Sequence, residues 1–178
     1  MVCDKCYESF TPKFKTFKLD GISAMYIYDY DETIKSCLYQ LKGCYDYELA
    51  PVFLAPFVHE LRLKYLDYYM VCAPSSVEDD EHRGFNHVEE IFKVLRLKNL
   101  QILAKNQKYK QSDQKRSDRK NIKNIITYKQ KMSLANKKIL LVDDVFTTGS
   151  TLKACLELVK KLKPKKIKIL LISKVNHH

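Results

Sequence analysis

The apolar positions of this chain follow two rhythms that alternate along its length. From Tyr68 onward, short apolar runs are separated by stretches in which apolar residues recur three and four apart. Tyr68–Ala73, Leu100–Ala104, Lys138–Val142 and Ile167–Ser173 predict strands. Phe85–Leu97, with Val88, Ile91, Phe92 and Leu95 on one side, and Ser150–Leu162 predict helices. Lys138–Val142 and Ile167–Ser173 are close to continuous aliphatic runs, as strands buried on both faces require. Strand and helix in alternation predict an α/β fold, a parallel sheet with helices on both faces. Upstream, Ile22–Tyr30 is nearly alternating and predicts another strand. Asp31 is placed to cap a helix that presents Ile34, Cys37, Leu38 and Leu41 and ends at Gly43. Leu49–Leu66 predicts a second helix, with Pro51 in its first turn and Pro56 as a kink. Residues 1–20 hold few aliphatics and predict a small N-terminal arm, which leaves 21–178 as the main domain.

Length and hydrophobic content, 178 residues and 46%, fit one globular domain with a real core. No apolar run is long enough for a membrane span, and Met1–Cys6 lacks a secretory signal's apolar stretch, so a cytoplasmic location is expected. Cys37, Cys44, Cys72 and Cys155 sit singly in apolar-periodic segments and read as reduced thiols. Charge changes the picture more. The net charge is +11, and residues 104–138 alone carry twelve Lys/Arg against two Asp. That segment should meet an anion: a diphosphate, a nucleic acid, or both. Its central part, Lys105–Asn121, shows no apolar period and reads as a mobile loop.

The chemistry concentrates after Ile139-Leu140-Leu141-Val142. There the chain reads Asp143-Asp144-Val145-Phe146-Thr147-Thr148-Gly149-Ser150-Thr151 and then enters a helix. The carboxyl end of a parallel strand faces the ligand crevice. Thr147, Thr148, Ser150 and Thr151 supply hydroxyls, Gly149 lets backbone approach an anion, and the helix start offers free N–H groups. A monophosphate suits that loop, and the two carboxylates suit vicinal hydroxyls one sugar away. A Walker-type nucleotide site is excluded, because none of the four glycines belongs to a G-x-x-x-x-G-K-[ST] cradle.

Segment 139–151 resembles the signature of type I phosphoribosyltransferases, which bind 5-phosphoribosyl 1-diphosphate. Tyr26-Ile27-Tyr28-Asp29-Tyr30-Asp31, Leu41-Lys42-Gly43, Arg83-Gly84-Phe85-Asn86 and Arg119-Lys120-Asn121-Ile122 narrow the resemblance to the ComF family, associated with competence and DNA uptake, and the related GntX group. The resemblance implies that Asp143 and Asp144 hold the ribose hydroxyls and that Val145, Phe146 and 147–151 line the 5-phosphate site. It implies a diphosphate site at Ala73, Pro74, Ser75 and Ser76, with Arg83 and Arg119 as its cations. It also implies Mg²⁺ travelling with the diphosphate, and phosphoribosyl transfer, a glycosyltransferase chemistry. Asn86 reads equally as a helix cap and as a ligand. Two positions depart from the family: the acidic run Glu78-Asp79-Asp80-Glu81, read as a solvated loop, and His87, where Gln is usual.

Cys3-x-x-Cys6 has the spacing of half a zinc module, and ComF-like proteins often begin with four such cysteines. One pair cannot complete a tetrahedral site, so zinc is not expected in this chain alone. The expected partners are 5-phosphoribosyl 1-diphosphate, single-stranded DNA or a DNA-uptake helicase, and a second copy of the chain; no membrane is among them. Two rival readings use the same fold without catalysis: a single-stranded DNA-associated competence factor, and a metabolite sensor whose basic loop orders on binding.

Overall fold

The computed structural model describes residues 10–75, 80, 84–105 and 126–176. Its frame is a five-stranded sheet. Strand β1 (Lys15–Leu19) turns through Asp20 and Gly21 into β2 (Ile22–Asp29). Both turn residues have positive φ, 47° and 80°, which is the geometry that two-residue Asp-Gly hairpins favour. The sheet continues with β3 (Tyr68–Cys72), β6 (Lys138–Phe146) and β7 (Lys166–Lys174) in the spatial order β1-β2-β7-β6-β3. β2, β7, β6 and β3 are mutually parallel, and β1 is an antiparallel edge. Two short strands, β4 (Leu103–Lys105) and β5 (Ile126–Tyr128), form a separate antiparallel pair.

Alternation along β6 divides the core. Leu140 and Val142 face one layer with Met70, Leu170 and Ile172. That layer is closed by α1 (Glu32–Gly43), α2 (Val58–Tyr65) and α3 (His87–Lys93), which bury Ile34, Leu38 and Leu41, Leu61, and Val88, Ile91 and Phe92. Ile139 and Leu141 face the other layer, against Leu152, Cys155, Leu156 and Val159 of α4 (Ser150–Lys161). The predicted α/β architecture with helices on both faces is therefore present, with one antiparallel strand added. That strand comes from the end of the expected N-terminal arm: Lys15–Leu19 pairs with β2 through register Leu19↔Ile22.

Three elements differ from their sequence patterns. The helix expected over Leu49–Leu66 is broken into 3-10 turns at Tyr47–Phe53 and Ala55–Phe57, followed by α2. Pro51 and Pro56 lack the N–H groups that a continuous α-helix needs, and Phe53 and Leu54 are fully buried by the tighter path. α3 stops at Lys93 rather than Leu97, and Arg96 adopts φ 55° just beyond it. The strand expected over Leu100–Ala104 starts later, at Leu103, because Lys98 and Leu100 bond instead to Met70 on the edge of β3. Among the described residues no helix is long and apolar enough to cross a membrane.

Candidate functional site

β6 runs on through both aspartates to Phe146, so Asp143 and Asp144 belong to the strand itself rather than to a loop after it. Beyond Phe146 the chain turns through the exposed Thr147 and Thr148 to a buried Gly149, which starts α4 from a left-handed conformation, φ 73°. Thr148 Oγ1 and Ser150 Oγ lie 2.8 Å apart across this turn. Phe146 packs edge-on against Phe17 of β1 at 5.1 Å. β3 ends beside β6, and Ala73 N–H donates to the Val142 carbonyl at 2.8 Å. Two loops that sequence alone could only nominate separately thus emerge side by side at one edge of the sheet.

Between them lies a cleft of about 300 Å³. Ala73, Pro74 and Ser75 form one wall, and Asp143, Asp144, Val145 and Thr151 another. Lys42, His87 and Lys105 also reach it. Past Pro74 the space opens into a second hollow of about 280 Å³, where Glu89 accepts hydrogen bonds from Asn99 Nδ2 at 2.7 Å and Gln101 Nε2 at 3.2 Å. Of the other nominated residues, Ser76, Arg83, Arg119, Cys3 and Cys6 lie outside the described residues, as does most of the basic stretch.

The carboxylates are not equivalent. Asp144 is buried, 7% exposed; its Oδ1 accepts the Val145 N–H at 2.7 Å. Its Oδ2 meets the Lys42 ammonium and, at 3.3 Å, His87 Nε2. Burial alone would raise its pKa, but the His87 hydrogen bond and the Lys42 charge outweigh that and hold it well below the usual carboxylate range. Asp143 moves the opposite way. Burial and the adjacent Asp144 charge push it well above that range, and its Oδ1 accepts the Asp144 N–H at 2.9 Å. One carboxylate is pinned as an anion and its neighbour is biased toward the neutral acid.

Lys42 and His87 are the site residues that the sequence patterns did not nominate as ligands. Lys42 comes from the last turn of α1 and His87 from the first of α3, so only packing brings them to Asp144. Their sequence signals were slight: Lys42 stands inside Leu41-Lys42-Gly43, and His87 is the departure beside Asn86. His87 Nδ1 is buried with no hydrogen-bond partner among the described residues. Asn86 is a helix cap, since its Oδ1 accepts the Glu89 N–H at 2.9 Å. The same side chain donates from Nδ2 to Ser75 Oγ at 2.7 Å and to Asp80 at 2.9 Å. Asp80 also accepts from Ser75 Oγ, so this member of the acidic run ties down the Ala73–Ser75 wall instead of standing in solvent.

The phosphoribosyl transferase domain family matches residues 81–178, the half of the chain that carries β6, the turn and α4. The chain belongs to that family. Within it, the sequence is similar to competence protein ComFC of Streptococcus pneumoniae (strain ATCC BAA-255 / R6), 32% identical over 148 residues that cover 83% of this chain and 66% of that protein. It is also 30% identical to ComFC of Bacillus subtilis (strain 168) over 128 residues, 71% of this chain and 53% of the relative. The chain therefore spans about two thirds of the first curated relative and about half of the second. Among solved structures, a hypoxanthine phosphoribosyltransferase of Staphylococcus aureus is 14% identical, with TM-score 0.45 and coverage of 74% and 76% of the two chains. A purine phosphoribosyltransferase of Pyrococcus horikoshii is 20% identical, with TM-score 0.44 and coverage of 71% and 72%. The ComF resemblance read from the motifs and the type I phosphoribosyltransferase-like fold agree with the family match and the two ComFC similarities.

Proposed function

We propose that the cleft binds 5-phosphoribosyl 1-diphosphate and transfers its phosphoribosyl group. The observation that carries this reading is the convergence of Asp143, Asp144, Thr151 and Ala73–Ser75 on one cavity of sugar-phosphate size. In this reading the vicinal ribose hydroxyls meet the aspartate pair, with Asp144 accepting as the anion and Asp143 facing the neighbouring hydroxyl. The 5-phosphate lies in the turn 147–151, against the free N–H groups of α4 and the close backbone that Gly149 permits. The diphosphate lies along Ala73–Ser75, where the ComF resemblance adds Ser76, Arg83 and Arg119.

Magnesium fits as an ion carried in by the ligand. Among the described residues no group of three or more His, Cys, Asp or Glu converges on one point, so Asp143 and Asp144 would supplement diphosphate and water oxygens instead of building a cage. When bound, Mg²⁺ would neutralise charge on the departing diphosphate. The chain's own part is to hold the sugar, exclude water and stabilise charge while a nucleophile attacks the anomeric carbon. The similarity to ComFC supports a place for this activity in competence.

A non-catalytic sensor is the second reading, and the Lys42–Asp144 contact favours it. A ribose hydroxyl and the Lys42 ammonium compete for the same carboxylate, so ligand binding would act on the end of α1. Thermal-shift measurements with Mg²⁺ and either 5-phosphoribosyl 1-diphosphate, ribose 5-phosphate or pyrophosphate test the shared site. The full ligand should raise the melting temperature most, because a ligand at about 100 times its Kd stabilises by about 2.7 kcal/mol. An equal shift from pyrophosphate alone would contradict the ribose assignment. Turnover of 5-phosphoribosyl 1-diphosphate against a nucleobase panel then separates transferase from sensor.

A further inference from the structure

The cleft occupies the carboxyl ends of β3 and β6, and the surface at their amino ends has a different chemistry. Lys138 opens β6 in register with Lys166 at the start of β7 and Tyr68 at the start of β3. Lys64 and Lys168 each stand 5.8 Å from the Tyr65 ring, and Lys138 and Lys168 each 5.9 Å from the Tyr68 ring. Lys137 is 5.5 Å from the Tyr69 ring, and its carbonyl accepts the Lys165 N–H at 2.9 Å. The carboxylate set among these lysines is Asp67, already paired with Lys138. Burial and crowding by Lys166 and Lys64 hold the Lys168 ammonium below its ordinary pKa, as an excess of like charge should.

Beside the lysines runs a groove of about 530 Å³, lined in part by Arg62, Leu66, Leu97 and Lys98. Arg62 is fixed there, its Nε donating to the Val94 carbonyl at 2.9 Å. Leu63 and Leu66 are 78% and 76% exposed, three residues apart at the end of α2. Residues at that spacing share a helix face. Single exposed leucines are ordinary, but Leu66 lines this cationic groove and Leu63 stands one turn before it on the same side, so the two form an aliphatic patch beside it.

We infer that this groove docks an acidic protein segment that carries aliphatic side chains. The lysines steer the acidic segment and set its salt dependence; Leu63 and Leu66 supply its apolar anchors. The details disfavour a nucleic-acid strand. Base stacking needs open aromatic faces, whereas Tyr65 and Tyr68 are 1% and 7% exposed, Tyr69 is half-buried with Lys137 over its ring, and the most exposed apolar groups there are Leu63 and Leu66. Asp143 lies five residues along β6 from Lys138, a span of about 17 Å at roughly 3.3 Å per residue. An occupant here leaves the cleft open.

Fluorescence anisotropy on the full chain tests this with three labelled probes: a peptide of Glu with Leu at helical spacing, the same peptide with every Leu replaced by Ser, and oligothymidine. The Glu–Leu peptide should bind, more weakly as salt rises, and the Ser version should bind at least about tenfold more weakly. Leu66→Ser and Lys98→Glu should each weaken the Glu–Leu peptide by about tenfold while leaving the melting temperature and binding in the cleft unchanged. Three results would overturn the inference: no peptide binding, peptide binding indifferent to these substitutions, or loss of oligothymidine binding in the same variants with the peptide unaffected.

Discussion

At Gly149 an added Cβ would meet Phe146 Cε2 at 2.5 Å and Cζ at 2.6 Å, and the backbone there has φ 73°. Gly149→Ala must therefore bear about 1–2 kcal/mol for the left-handed conformation alone and displace the Phe146 ring as well. The expected outcome is a lower melting temperature together with weaker binding of the sugar phosphate, measured by thermal unfolding and titration. Asp143 makes the opposite kind of prediction for stability. Its folded-state pKa is raised by burial and by the Asp144 charge, so its ionisation works against folding as pH rises from the ordinary carboxylate range. Asp143→Asn should melt higher than the parent at pH 7, by roughly 2–4 °C for each kcal/mol gained, and lose that advantage near pH 3. Asp144 has the reverse sign. Its depressed pKa contributes stability above the usual carboxylate range that is lost as pH falls, and Lys42→Met should remove part of it at neutral pH. The aspartates and the threonine-glycine turn were legible because they are contiguous. Lys42 and His87 were not, since they arrive from helices 45 residues apart whose packing no local pattern encodes.

The strands were the most readable elements. β6 and β7 are buried on both faces, and a run such as Ile139–Val142 has no amphipathic alternative. The segment Leu49–Leu66 was harder. Its apolar spacing is helical, but two prolines divide it and the buried pair Phe53–Leu54 is served better by 3-10 turns. α3 joins element to site at its amino end, where His87 meets Asp144 and the cap residue Asn86 has two roles. Asn86 caps the helix with Oδ1 and holds the Ser75 wall with Nδ2. Asn86→Ala should cost about 1 kcal/mol, the usual value of a cap, and also loosen the Ala73–Ser75 wall. Asn86→Ser separates the two roles. It keeps a capping oxygen, removes the donor to Ser75 and Asp80, and should weaken ligand binding with little loss in chemical denaturation.

For the whole molecule, the sheet separates two surfaces by strand direction. Carboxyl ends carry the paired carboxylates and the threonine-glycine turn; amino ends carry the lysine-rich groove. The family match to residues 81–178 covers the part in which β6, its turn and α4 are continuous, while α1 and the Ala73–Ser75 wall come from outside that match and complete the cleft. We propose that this completed cleft is a site for a ribose diphosphate. Isothermal titration calorimetry with 5-phosphoribosyl 1-diphosphate and Mg²⁺ tests it most directly, on the parent chain and on the variant carrying both Asp143→Asn and Asp144→Asn, with folding checked by circular dichroism. The predicted result is saturable binding to the parent that disappears in the folded double variant. No heat of binding to the parent at millimolar ligand, or equal binding to the double variant, would contradict it.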